Sequence, residues 1–169
     1  MILFALGKNK IGIVDEVTSF LFKHNANILD SCMSVMGGQF SITCLFSCSE
    51  EFLTQISKNI GNLEKSGLSI SLHEVDTPAP VEKEAGLPIK LEVISMDHPG
   101  IVQNVVHILK NHEVSIFSLD TQLKTMPHTG TPMFDLNLEA SIPADNSISK
   151  LKEELYDLAS EMNLDILFK

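Results

Sequence analysis

The chain has 169 residues, 44% of them hydrophobic and 20% charged, the balance of a soluble globular protein of one domain or two small ones. Its 22 acidic and 12 basic side chains leave a net charge of −10, and every one of those cations is a lysine. Arginine is the usual bidentate reader of phosphate and guanine, and phosphate neutralisation dominates nucleic-acid affinity, so the composition argues against direct nucleic-acid binding.

Residues 2–6 read as a buried strand, and 7–12 as a loop. Ile13, Val14, Val17, Phe20 and Leu21 then recur at helical spacing. Asn25 and Asn27 suit the exit turn, a strand covers 27–35, and "MGGQ" is a hairpin turn. Phe40, Ile42, Cys44, Phe46 and Cys48 alternate with mostly polar neighbours, as a half-buried antiparallel strand does. Phe52, Leu53, Ile56, Ile60 and Leu63 mark a second helix, which Gly67 ends in the left-handed cap position. Leu68, Ile70 and Leu72 close the first half on a short strand, and the proline-rich, charged segment 77–88 reads as a linker.

The second half repeats this order. A shift of 88 residues places Gly12 on Gly100, Ile13 on Ile101, Val14 on Val102, Val17 on Val105, Leu21 on Leu109, His24 on His112 and Ile28 on Ile116. The offset then grows, because half two has gained residues around "TMPHTGTPMF"; Phe40 matches Phe134, and Leu68 and Ile70 match Leu164 and Ile166. Phe134, Leu136, Leu138, Ala140 and Ile142 give a cleaner alternation, and Ile148, Leu151, Leu155, Leu158, Ala159 and Met162 the second helix, with Asn163 at its cap. The period is too long for a solenoid, whose repeats run roughly 20–50 residues. The chain therefore reads as two domains, 1–76 and 89–169, joined by 77–88. Each is βαββαβ, an antiparallel sheet with both helices on one face, the ferredoxin-like α+β arrangement.

The chemistry-bearing residues cluster before each first helix. In "DHPGIV", Pro99 suits the first helical turn, Asp97 can cap the free N–H groups, and Gly100 leaves the backbone open to a ligand. A helix start attracts a carboxylate, and Asp97 could face an ammonium group, which together suit a small amino acid; an ordinary capped helix is the simpler reading of the same residues. In the matching "NKIGIV", Asn9 can still cap, but Lys10 and Ile11 replace His98 and Pro99 and the carboxylate is gone. His98 and His128 fall on loops, where a solvated side chain is the default. Cys44 and Cys48, four apart on a strand, lie roughly 13 Å apart, too far for one zinc, so no metal site is expected. No nucleophile arrangement, zinc-protease motif or phosphate-binding glycine loop occurs, and no cofactor is expected. Three cysteines, Cys32, Cys44 and Cys48, all in half one, fit a reducing cytoplasm better than a disulfide framework. No apolar run reaches the roughly 18 residues of a membrane span, and "MILFALG" lacks the pattern of a secretory signal.

These residues resemble the ACT domain family, small-molecule sensors with a βαββαβ fold. The family carries D-x-P-G-I before its first helix, here Asp97, Pro99, Gly100 and Ile101, and often N-I at the start of its second strand, here Asn27 and Ile28. Half two has Ser115 and Ile116 at the second place, and half one departs at Asn9 and Ile11. The resemblance implies a ligand site drawn from Asp97, His98, Pro99, Gly100, Ile101 and Val102, from Asn9, Gly12 and Ile13, and from Asn27, Ile28, Ser115 and Ile116. The whole chain also resembles the glycine cleavage system transcriptional repressor family, through "DSCMSVMGGQF" and "HTGTPMFDLNLEASIP". That implies a non-enzymatic regulator that senses glycine or a similar amino acid and binds a transcriptional activator protein rather than DNA. Its free sheet edges add the expectation of a homodimer. The alternative is a regulatory small subunit of an amino-acid biosynthetic enzyme. Acylphosphatases share the fold but rely on an arginine absent here, and Asp135 and Glu139 on a strand face argue against an RNA-binding module.

Overall fold

The computed structural model describes residues 1–75, 86–126 and 130–169. The chain divides into two units, Met1–Pro78 and Ala79–Lys169.

Unit 1 runs β1 (Ile2–Lys8), α1 (Ile13–Lys23), β2 (Asn27–Met36), β3 (Gln39–Ser47), α2 (Glu50–Asn59), α3 (Gly61–Glu64) and β4 (Leu68–His73). Its sheet has the order β2-β3-β1-β4, and each pair of neighbours is antiparallel. Leu3 and Ala5 alternate inward along β1 and pack with Val17 and Leu21 of α1, Ile42, Cys44 and Phe46 of β3, Ile56 of α2 and Leu63 of α3. The expected second helix is thus two segments. Leu63 and Glu64 both donate from backbone N–H to Ile60 O, at 2.9 and 3.3 Å, where the chain tightens before Gly61.

Unit 2 runs β5 (Gly86–Met96), α4 (Ile101–Asn111), β6 (Ser115–Thr125), β7 (Pro132–Pro143), α5 (Ile148–Met162) and β8 (Asp165–Phe168). The sheet order is β6-β7-β5-β8, again antiparallel throughout. Leu91 and Val93 of β5, Val105 and Leu109 of α4, Leu136 and Leu138 of β7, and Leu151 and Leu155 of α5 form its core. Both units are therefore ferredoxin-like, with the helices covering one face of a four-stranded sheet. β5 begins at Gly86, so the last three residues of the segment read as linker belong to the sheet; residues 76–85 lie outside the described residues. The extra length of half two falls on the β6–β7 hairpin. There Met126 N–H donates to Thr131 O at 3.0 Å, while residues 127–129, His128 among them, lie outside the described residues.

Both first helices end alike. Asn25 (φ 49°) and Glu113 (φ 53°) turn left-handed, and the next N–H, of Ala26 or Val114, returns 3.0 Å to the carbonyl of Leu21 or Leu109. This satisfies carbonyls that the helix itself leaves free.

Candidate functional site

In unit 2 the chain leaves β5 at Met96, turns through 97–100 and enters α4 at Ile101. The N-cap is Gly100, left-handed at φ 99°, and no side chain caps the helix. This corrects two expectations. Asp97 does not cap; it is exposed, and its backbone N–H donates to Pro132 O at 3.4 Å. Pro99 lies before the N-cap rather than in the first helical turn. The physical reason is the glycine: a left-handed N-cap bends the chain into the helix abruptly, which leaves the two residues before it in the turn. Ile101 is buried and anchors the helix, whereas Val102 is exposed. The opening N–H groups of a helix have no intrahelical acceptor, so Gly100, Ile101 and Val102 have the chemistry to meet a carboxylate. The first intrahelical bond here runs from Asn104 N–H to Gly100 O, at 2.9 Å.

His98 is half-buried rather than solvated. Its Nε2 lies 3.3 Å from Met162 O, and its Nδ1 lies 3.3 Å from Pro99 O. Each contact needs an N–H on the ring, and a neutral imidazole supplies one.

Unit 1 repeats the turn with different partners. Gly12 is the left-handed N-cap of α1 at φ 86°, again with no side-chain cap, so Asn9 does not cap either. Asn9 N–H donates to Gly38 O at 3.0 Å, and Ile13 N–H to Lys10 O at 3.3 Å, so one of the opening donors is already engaged. Asn9, Gly12 and Ile13 line an open concavity of about 600 Å³ together with Val14, Val35 and Phe40. Ile11, where unit 2 has Pro99, is fully exposed.

The second group of predicted residues lies elsewhere. Asn27 and Ile28 pair with Ser47 and Phe46, at the end of the sheet where β1 begins, while the 9–12 turn follows the other end of β1. Ser115 and Ile116 pair with Ser141 and Ala140, beside the start of β5, while 97–100 follows its end. At about 3.4 Å per residue along the strand the separation is roughly 25–30 Å, so within one unit these pairs do not meet the turn. Just past each pair the register slips, between Ile28 and Asp30 and between Ile116 and Ser118, leaving Leu29 and Phe117 exposed. The sequence reading missed these bulges, which carry no glycine or proline signal.

Three ion pairs neutralise lysines on the uncovered sheet face of unit 2: Lys90 with Glu139 at 2.6 Å, Lys169 with Glu92 at 2.8 Å, and Lys124 with Asp135. Cross-strand opposite charges of this kind stabilise a sheet and leave little free positive charge for a phosphate. Among the described residues no group of three His, Cys, Asp or Glu is placed to hold a metal ion. No helix of the described residues is long and apolar enough to cross a membrane.

Two βαββαβ units, each with a glycine-capped turn before its first helix, define a tandem of ferredoxin-like α+β domains. Residues 1–73 match the family model of the ACT domain, and unit 2 repeats the same ferredoxin-like fold. Over 163 residues, 96% of this chain and 85% of the relative, it is 21% identical to the glycine cleavage system transcriptional repressor of Escherichia coli (strain K12), and equally to that of Shigella flexneri. Two solved structures share the fold over 99% of the chain. An unknown protein from Galdieria sulphuraria is 22% identical, with a TM-score of 0.77 and 95% of its chain covered. A structure provisionally assigned as a glycine cleavage system transcriptional repressor is 20% identical, with a TM-score of 0.71 and 94% covered.

Proposed function

We propose that this chain is an amino-acid-sensing regulator, not an enzyme, that modulates transcription of glycine cleavage genes by binding a DNA-binding activator rather than DNA. The observation that carries this reading is the correspondence, over 96% of the chain, with a protein named as the glycine cleavage system transcriptional repressor. The net charge of −10 and the missing arginine support action through a protein partner. The ligand is glycine or a similar small amino acid. Its carboxylate meets the N–H groups of Gly100, Ile101 and Val102, and its ammonium meets Asp97.

A thermal-shift screen of the twenty amino acids tests the sensor, because a ligand of the native state raises its melting temperature by mass action. Titration calorimetry then compares Asp97→Ala with Asn9→Ala. A charge-assisted hydrogen bond is worth roughly 1.5–3 kcal/mol, so Asp97→Ala should weaken binding about tenfold to hundredfold and Asn9→Ala much less. Asp97 makes no helix-cap bond, so its loss should leave the melting temperature of the free protein almost unchanged. No shift with any amino acid rejects the sensor. A nanomolar mobility shift on DNA by the protein alone, at physiological salt, rejects the indirect mode. A stable complex with a biosynthetic enzyme in a pull-down moves the assignment to a regulatory subunit.

A further inference from the structure

Three matching positions come together in both units, although none keeps its amino acid. In unit 1, Lys10 in the β1–α1 turn donates from Nζ to Glu16 Oε1 on the first turn of α1, at 2.8 Å, and to Ser66 O just beyond α3, at 3.3 Å. In unit 2 the matching turn residue is His98, whose Nε2 lies 3.3 Å from Met162 O at the end of α5. The matching first-turn residue is Asn104, which donates from Nδ2 to Met162 Sδ at 3.4 Å. A lysine, a glutamate and a serine carbonyl in one copy answer to a histidine, an asparagine and a methionine in the other. Lys10 joins the other two in unit 1 and Met162 joins them in unit 2, and the bond from the turn side chain to the carbonyl is common to both.

We infer that Lys10 and His98 are positioning residues, latches that tie the turn before the first helix to the end of the second helical segment. Met162 is the last residue of α5, whose final carbonyls have no intrahelical partner and form the negative end of its dipole, so a donor is favoured there; Ser66 O lies two residues past the short α3. Few backbone bonds hold the turn: Asn9 N–H to Gly38 O at 3.0 Å and Ile13 N–H to Lys10 O at 3.3 Å in unit 1, and Asp97 N–H to Pro132 O at 3.4 Å in unit 2. Beyond the latched carbonyl, each chain makes one left-handed step, at Gly67 (φ 91°) or Asn163 (φ 53°), and enters the final strand. That strand, β4 or β8, is an edge of its sheet. The latch therefore links the turn to the entry of an edge strand, and by reciprocity whatever orders one end orders the other. This holds whether or not the turn binds an amino acid.

Hydrogen exchange on the full chain, with no amino acid added, tests the latch. Loss of one hydrogen bond should speed local opening about threefold to tenfold. In His98→Ala the acceleration should fall on the amides of residues 100–102 and 163–166 and spare unit 1. His98→Lys, which installs the residue of unit 1, should restore slow exchange. In Lys10→Ala the same effect should appear at 12–14 and 67–69 and spare unit 2; this variant carries the test if His98→Ala does not fold. Unchanged exchange at the strand entry in the alanine variants, acceleration spread evenly over the whole unit, or failure of His98→Lys to restore protection overturns the inference.

Discussion

Gly12 and Gly100 hold the same place 88 residues apart, each the left-handed N-cap of its unit's first helix, at φ 86° and 99°. A side chain in this conformation costs roughly 1–2 kcal/mol. A Cβ on Gly12 meets open space, whereas on Gly100 it lies 3.3 Å from Asn104 Nδ2. Gly12→Ala should therefore lower stability by about 1–2 kcal/mol and Gly100→Ala by at least as much, read from urea unfolding midpoints. Alanine variants as stable as the parent would show that the turns relax to another conformation.

Gly7 and Ser95 are a second matched pair with opposite consequences. A Cβ on Gly7 would stand 2.7 Å from Gly67 O and 2.9 Å from Leu68 Cδ2, so Gly7→Ala must push β1 and β4 apart, at about 1–3 kcal/mol. Ser95 is 4% exposed, and its Oγ has no hydrogen-bond partner among the described residues. Removing an unsatisfied buried hydroxyl relieves its desolvation cost, so Ser95→Ala should leave stability equal or higher. Denaturant titration of the two variants checks both signs.

The thiols should separate by reactivity. Cys32 is exposed, Cys44 is buried and Cys48 half-buried. Burial pushes the Cys44 thiol up, with the nearby Asp30 charge adding to it, and burial also pushes Cys48 up. The thiolate is the nucleophile, so a disulfide reagent at pH 8 should label Cys32 quickly and the other two slowly in the folded chain. Peptide mapping of the early product reads the outcome, and rapid labelling of Cys44 would contradict the packing of β3.

Glu16 should titrate below the ordinary glutamate range, chiefly because Lys10 donates a hydrogen bond to its carboxylate. A carboxylate depressed in the folded state contributes stability above its unfolded pKa, and loses it as pH falls through the folded value. Lys10→Met should move the Glu16 titration up toward the ordinary range, followed by carboxyl carbon shifts. Because the pair is solvent-exposed, the accompanying change in stability should be small and should shrink further with added salt.

Packing within each core should be costly to disturb. Leu21 and Leu109 occupy matching helix positions and are fully buried. Leu21→Ala and Leu109→Ala should each cost about 2–5 kcal/mol, with the loss of exchange protection confined to the unit that carries the change.

Much of the fold was legible because it was written twice. The helix faces of α1 and α4, the alternation of β3 and β7, and the turn glycines each appear in two copies, so periodicity confirmed itself, and the topology follows from element order and short connections. The sequence also marked the 97–102 turn as the candidate ligand-binding start of a helix. It could not tell what the turn residues do. Asp97 and Pro99 carry the composition of a cap, but the left-handed glycine behind them takes that place, and a backbone angle leaves no unambiguous trace in residue type. The triads of Lys10, Glu16 and Ser66 and of His98, Asn104 and Met162 were invisible, because comparing the halves finds shared identities and these positions share none. Only folding brings residues 10 and 66, or 98 and 162, to one point. The polar contacts there depend on distances across the sheet and between helix ends, which the hydrophobic pattern sets but does not spell out.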